Sequence, residues 1–429
     1  MFIAIAILVI ALIIGVPVPF SFFAASIYMI FALNYDPSFL LPYGFSQMSS
    51  TLLLAIPLFI LAGNIIEKGG MGEKIVALVE VILGRLKGGL GIVTIVSCAV
   101  FGAISGSAAA TMTTIGTILL PRLEKSGYPQ GLSASLVASS CVLGMLIPPS
   151  SLMILYAWIS NQSVLAAFLA TIIPGIILII SLSAVNVVYL RNVDIKTTAP
   201  VDFKTKTKQF GGATKGAFPS IILAVIILGG IYGGFMTTTE AAGVAVIYTL
   251  VIGFWVHKGL TKKNISNVII KAGMTTGVIM VMIYGSMMLS RMFTMEHLPD
   301  KMTDMLLSIS ENKIILLLMI NGFLIIIGML MDDTSGVLLS TPILLPIAMN
   351  FGVDPIHFAA ILSVNLGLGY VTPPAAPMLY LAGNMAGART KELFKPTALM
   401  IAFAWVPTLL LTTYIPELSL FLPKLILGY

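Results

Sequence analysis

The stretch Phe101–Ser151, FGAISGSAAATMTTIGTILLPRLEKSGYPQGLSASLVASSCVLGMLIPPSS, decides how the rest of the chain is read. One apolar segment is broken by the small polar run Ser105–Thr111, and a second by Pro148-Pro149. A simple membrane-spanning helix has neither break. Proline lacks an N–H, and its ring clashes with the carbonyl four residues earlier. Pro148 therefore frees the C=O of Gly144, and Pro149 frees that of Met145. The residue before each proline is pushed away from helical angles as well. In hydrocarbon a freed carbonyl must find a partner. A bound cation is one such partner, and broken helices with exposed carbonyls can hold Na⁺ at mid-membrane.

The stretch recurs at a constant offset of 225 residues. Leu119-Leu120-Pro121 becomes Leu344-Leu345-Pro346, Gly127 becomes Gly352, and Leu143-Gly144 becomes Leu368-Gly369. Pro148-Pro149 becomes Pro373-Pro374, and Met153 becomes Met378. The polar run maps onto Leu330–Gly336, which contains Asp332-Asp333-Thr334-Ser335. Prolines, glycines and an LLP triplet in one register are a strong repeat signal.

The chain is 58% hydrophobic and 9% charged, with a mean hydropathy of +1.05. A soluble domain of this length does not have that composition. Apolar runs of spanning length recur from end to end, which predicts an all-α polytopic membrane protein. An outer-membrane barrel would alternate polar and apolar residues, and this chain does not. The net charge of +6 is explained by basic loops and calls for no nucleic acid. Cys98 and Cys141 lie in separate apolar segments and read as small hydrophobes. The N-terminus has no positive region, and the first basic residue is Lys68, so a cleaved signal peptide is not expected.

Read in order, residues 1–48 give two short scaffold helices, Phe2–Ile14 and Pro19–Leu33, then a polar loop Asn34–Gln47. Residues 49–190 form a first repeat. It holds a span Ser49–Ile66, an amphipathic helix Gly72–Arg85, a re-entrant hairpin 88–123, a proline-broken helix 130–156, and a span Leu165–Leu190. Residues 191–266 carry the linker Arg191–Lys215, with Lys196, Lys204, Lys206, Lys208 and Lys215, and two scaffold spans, Phe218–Ile231 and Thr239–Val256. Residues 267–411 form a second repeat with a span ending at Leu289, an amphipathic stretch Leu298–Ile309, a hairpin 314–349 and a broken helix 355–382. Leu393–Leu411 is its last span, and residues 412–429 form a C-terminal segment.

Orientation follows from charge. With the N-terminus outside, 19 of the 23 Lys and Arg fall on cytoplasmic loops; the exceptions are Arg291, Lys301, Lys313 and Lys424. That is a strong positive-inside bias. Five full crossings then separate the starts of the two repeats, so their topologies are opposite. Inverted repeats with paired broken helices imply alternating access around a mid-membrane site.

The candidate site residues follow from the breaks. The first cation site takes Ser105, Gly106 and Ser107 with the carbonyls of Gly144 and Met145 ahead of Pro148. The second takes Asp332, Asp333, Thr334 and Gly336 with Gly369, Tyr370 and Thr372. A carboxylate inside a membrane is costly and marks a functional site by default. Asp332 also suits the N-cap of the hairpin's returning limb, and the two roles are compatible. Hydroxyls of Ser105, Ser150, Ser151, Thr334 and Thr372 are candidates for holding an anion, since these segments read as free of mid-membrane Arg or Lys. Thr237-Thr-Thr-Glu240 reads as a capping box rather than a binding motif. No HExxH, Walker A or GxSxG motif is present, so neither ATP hydrolysis nor an enzyme is expected.

The motifs IPLFILAGN (56–64), FGAISGSAAAT (101–111), LIPPSS (146–151), TTTEAAG (237–243), GMLMDDTSGVLL (328–339) and LGYVTPPAAP (368–377) resemble the large membrane subunit of tripartite ATP-independent periplasmic (TRAP) transporters. The resemblance covers nearly the whole chain. It implies an elevator-type secondary transporter of the bacterial inner membrane, driven by Na⁺. It implies two partners: a small membrane subunit, expected as a separate chain, and a periplasmic substrate-binding protein. The cargo would be an organic acid, with sialic acid favoured and a C4-dicarboxylate next. The paired tips also resemble, more distantly, divalent-anion/sodium symporters, whose tips read Ser-Asn-Thr where this chain has Ser105-Gly-Ser107 and Asp333-Thr-Ser335. A stand-alone symporter of that kind is the alternative. An integral-membrane hydrolase using Ser105 or the Asp332/Asp333 pair is disfavoured, because no histidine lies near either tip in sequence.

Overall fold

Helices alone make up the regular structure in the described residues of the computed structural model, which are 2–84, 88–193, 195 and 203–428. Of residues 2, 192 and 203–209 the backbone alone is described. Arg85, at the end of the predicted amphipathic helix, and Lys196, in the predicted linker, lie outside the described residues.

The first half contains α1 Phe2–Ile13, α2 Val18–Leu33, α3 Pro37–Met48, α4 Ala55–Lys68 and α5 Met71–Leu83. The first hairpin is α6 Gly89–Ser105 and α7 Ala108–Lys125. The first broken helix is α8 Gln130–Cys141 with the short α9 Leu143–Leu146, a break, and α10 Ser151–Ser160. Then come α11 Val164–Tyr189, α12 Phe203–Tyr232 and α13 Thr238–Val251. The second half contains α14 Ile265–Met295, α15 Leu298–Ile309, the hairpin α16 Lys313–Leu330 and α17 Asp333–Asn350, and the broken pair α18 Pro355–Val371 and α19 Pro377–Ala386. It closes with α20 Thr390–Met400, α21 Val406–Tyr414 and α22 Glu417–Leu427.

Among the described residues, seven helices are long and apolar enough to cross a membrane, and the pair Gln130–Leu146 and Ser151–Ser160, bent by 45°, makes an eighth. This is a polytopic all-α membrane protein with proline-broken and re-entrant-like elements. The element boundaries keep the offset seen in the sequence. Residues 108–125 of α7 map onto 333–350, the span of α17, and residues 130–146 of α8 and α9 map onto 355–371, the span of α18. The Pro148–Pro149 and Pro373–Pro374 peptides are both cis.

Three stretches differ from the sequence-based expectation. Asn34–Gln47 is not a loop throughout. Asp36 caps α3 by accepting from the Ser38 N–H at 2.8 Å, and Pro37 supplies a first-turn φ ready for a helix. The helix is held because its buried Leu40 and Gly44 pack on α14, where a Cβ at Gly44 would meet the Tyr284 ring at 2.8 Å. Secondly, α12 begins at Phe203 rather than Phe218, inside the predicted linker. Thirdly, α14 runs for 31 residues and extends past both predicted ends.

In lipid, helix association gains little from the hydrophobic effect and depends on close packing of small residues. Glycines provide that here. A Cβ at Gly144 would meet Thr111 Oγ1 at 2.7 Å and the Ser107 carbonyl at 2.8 Å, which ties α9 to the first hairpin. A Cβ at Gly369 would meet Gly328 C at 2.5 Å, which ties α18 to α16. Each broken helix thus lies against its own hairpin. The half-helices beyond the breaks cross over: α10 packs on α17 of the second hairpin, and α19 on α7 and α8. Next to them α4 packs against both α13 and α14.

Candidate functional site

Both hairpin tips open onto one cavity of about 710 Å³. The first tip contributes Ser105 and Ser107–Ala110, and the second Asp332, Asp333 and Thr334. Ser151 and Leu155 come from α10, Tyr370 from α18, and Met378 from α19. The remaining wall is α4 from Ile56 to Glu67, α14 from Lys271 to Met282, and Pro17–Pro19.

The first tip is two residues wide, Gly106 and Ser107, because α7 begins as early as Ala108. Gly106 has φ +63°, a left-handed conformation that suits glycine. A Cβ there would also meet the Pro149 carbonyl at 2.7 Å, so the tip touches the break directly. Ser107 caps α7 by accepting from the Ala110 N–H at 3.4 Å. Thr111 Oγ1 donates to the Ser107 carbonyl at 2.8 Å and lies 3.3 Å from Ser105 Oγ. Ser151 Oγ donates to the Gly106 carbonyl at 3.2 Å, joining α10 to the tip. Gly144 and Met145 are fully buried behind it. Oxygen donors from hydroxyls and carbonyls therefore crowd one small volume around Gly144. That donor set fits a hard cation.

At the second tip Asp332 occupies the N-cap position of α17. Its carboxylate accepts from Ser335 Oγ, and its carbonyl accepts from the Gly336 N–H at 2.9 Å. The side chain remains exposed to the cavity. Asp333 Oδ1 accepts from the Thr334 N–H at 2.9 Å, and the Asp333 N–H donates to the Tyr370 hydroxyl. Tyr370 thereby ties the second break to the second tip. Ser335 Oγ also contacts Met282 Sδ of α14 at 3.2 Å. Thr372 Oγ1 donates to the Leu368 carbonyl at 2.6 Å, and the Thr372 N–H donates to the Gly369 carbonyl at 3.1 Å, so of the two carbonyls ahead of this break that of Gly369 is already partnered.

Of the hydroxyls singled out for an anion, Ser105, Ser151 and Thr334 line the cavity. Ser150 and Thr372 do not; Ser150 is fully buried, and its Oγ has no hydrogen-bond partner. Glu240 lies away from the cavity and forms the expected capping box with Thr237. Thr237 N–H donates to Glu240 Oε2 at 2.8 Å, and Glu240 N–H donates to Thr237 Oγ1 at 3.2 Å. The wall residues Asn64 and Lys271 fall outside the sequence-based candidates; Tyr370 enters them only through its carbonyl. Lys271 is a cation on the cavity wall in segments that read as free of mid-membrane lysine; its Nζ lies 3.0 Å from Glu67 Oε2.

Residues 5–418 match the family described as "Tripartite ATP-independent periplasmic transporter, DctM component". The chain is 35% identical over 411 residues to the isethionate TRAP transporter permease protein DctMQ of Oleidesulfovibrio alaskensis. That match covers 96% of this chain and 64% of the relative, so the chain spans less than two-thirds of that protein. It is 31% identical over 416 residues to the sialic acid TRAP transporter large permease protein SiaM of Vibrio cholerae, covering 97% of this chain and 96% of that one. The fold is similar to the crystal structure of the Alcanivorax borkumensis YdaH transporter, with a TM-score of 0.61 at 14% identity over 91% of this chain and 88% of that one. The match across nearly the whole length places the chain in a family of transporters, not enzymes: it belongs to the tripartite ATP-independent periplasmic transporter family, as its large permease component.

Proposed function

We propose that this permease imports an organic acid anion across the bacterial inner membrane, coupled to Na⁺ and supplied by a periplasmic binding protein. The observation that carries the reading is the meeting of both hairpin tips in one cavity, each backed by its own proline break. Freed carbonyls and tip oxygens suit Na⁺. Two bound cations would offset the anion's charge where few protein cations are at hand. The units 49–190 and 267–411 act as inverted repeats, with 1–48 and 191–266 as scaffold and the N-terminus periplasmic. Moving the two hairpins and broken helices together against that scaffold gives an elevator. A small membrane subunit completes the assembly. Sialic acid is the first choice of cargo and a C4-dicarboxylate the second.

Reconstitution tests this. With the small subunit and an inward Na⁺ gradient, proteoliposomes should take up N-acetylneuraminate only when the cognate binding protein is added outside. Uptake at full rate without it, at micromolar substrate, would establish a stand-alone symporter instead. Uptake driven by a pH gradient and indifferent to Na⁺ would reassign Asp332 and Asp333 as proton carriers. Uptake of succinate in place of N-acetylneuraminate would exchange the cargo and keep the mechanism.

A further inference from the structure

Among the described residues lining the cavity, Lys271 is the one cation, against three carboxylates, Glu67, Asp332 and Asp333. The two acids of the second tip lie far along the cavity from it. Met282 of α14 touches that tip, and it stands eleven positions along the helix from Lys271, about 16 Å at 1.5 Å per residue. The cavity thus has an acidic pole at the tip and a basic residue at the other end of its α14 wall.

The ion pair that holds Lys271 is unequal. Glu67 is nearly buried, with its side chain 10% exposed, and its two oxygens meet different lysines: Lys271 Nζ at 3.0 Å from Oε2, and Lys68 Nζ at 3.5 Å from Oε1. The Lys271 side chain is 53% exposed. Taking one partner from a buried ion pair normally strands a charge and is strongly destabilising. Here Lys271 can leave while Glu67 keeps Lys68. A carboxylate arriving in the cavity offers Lys271 the same charge-assisted hydrogen bond that Glu67 provides. The exchange replaces like with like and leaves no lone charge.

We propose that Lys271 is the docking point for the carboxylate of the transported anion, with Glu67 as the internal competitor that holds the lysine until the anion arrives. This rests on an organic acid as cargo. It also gives the cavity a polarity, in which the cargo's carboxylate faces Lys271 and the coupling cations lie at the tips.

The test compares Lys271→Gln, Lys271→Arg and Glu67→Gln in the permease purified with its small subunit. N-acetylneuraminate and succinate serve as probes, with Kd measured by calorimetry in saturating Na⁺ and KM by proteoliposome uptake. Lys271→Gln should weaken Kd and raise KM about tenfold, which corresponds to about 1.4 kcal/mol. Lys271→Arg should keep both near wild type. Glu67→Gln should tighten Kd several-fold, since the lysine loses its competitor. An unchanged Kd in Lys271→Gln would overturn the proposal. So would equal weakening by Lys271→Gln and Glu67→Gln, the signature of a strut between α4 and α14, or failure of the wild type to bind either probe. Loss of Na⁺-driven uptake alongside the expected Kd pattern would count against the importer reading and leave the Lys271 assignment standing.

Discussion

Ser107 and Asp332 stand at equivalent positions, 225 residues apart, each the residue before the returning helix of a hairpin. Both interact with the residue three positions on, and the chemistry differs. Ser107 accepts from a backbone N–H, that of Ala110, whereas Asp332 accepts from a hydroxyl, that of Ser335. The bond from each break to its tip differs too. Ser151, beyond the first break, donates to the Gly106 carbonyl, whereas Tyr370, before the second break, accepts from the Asp333 N–H. One backbone plan thus carries a neutral tip and an acidic one. A neutral tip must bind a cation through dipoles alone. An acidic tip adds full charge and should bind it more tightly.

The charge difference gives the largest expected effect. Asp332→Asn should raise the Na⁺ concentration for half-maximal uptake by roughly tenfold or more, as interactions with a charged group contribute about 1.5–3 kcal/mol. Ser107→Ala, at the matching position, loses a neutral hydrogen bond of about 1 kcal/mol and should shift it roughly fivefold. Equal shifts in Na⁺ titrations of the two variants would erase the distinction and return Asp332 to capping alone.

Behind the tips, the two glycines give the next effect. Gly144→Ala and Gly369→Ala should each destabilise the protein by about 1–3 kcal/mol through overpacking, read as a lower thermal midpoint in detergent. They should differ in function. A methyl at Gly144 presses on the Ser107 carbonyl and Thr111 Oγ1 and should raise the Na⁺ requirement. A methyl at Gly369 presses on the Gly328 backbone and should leave the Na⁺ requirement nearer wild type. The reverse pattern would place the first cation away from Gly144.

The smallest effects belong to the bonds between break and tip. Tyr370→Phe removes the acceptor of the Asp333 N–H at a site facing the cavity, and about 1 kcal/mol should appear as a severalfold rise in the Na⁺ requirement. Ser151→Ala removes one side-chain bond to Gly106 while the Ser151 N–H still reaches the same carbonyl at 3.4 Å, so its shift should be smaller. A larger shift from Ser151→Ala would make the first tip the more tightly coupled of the two.

The hairpins and breaks were legible in the sequence because their causes are local. Proline removes a donor wherever it stands, and Pro148-Pro149 and Pro373-Pro374 mark both breaks. The capping box at Thr237–Glu240 was legible for the same reason. Helix α3 was not, since Asn34, Asp36, Ser38 and Gln47 look like a loop until α14 covers Leu40 and Gly44. Tyr370 entered the reading through its carbonyl, and its hydroxyl matters only because the fold brings it to Asp333, 37 residues back. Lys271 sits in the second turn of α14, where a lysine reads as the charged end of a span. That it faces the cavity beside Glu67 depends on the packing of α4 against α14, which no local pattern encodes.

Sidedness of the two amphipathic helices tests the inverted-repeat account most directly. Glu73 in α5 and Asp300 in α15 are exposed and occupy corresponding helices of the two repeats. The native Cys98 and Cys141 are fully buried, so background labelling by a membrane-impermeant thiol reagent should be low. In intact cells Asp300→Cys should label, and Glu73→Cys should label only after the membrane is permeabilised. Labelling of both from outside, or of neither, would put the two repeats in the same orientation and contradict the account.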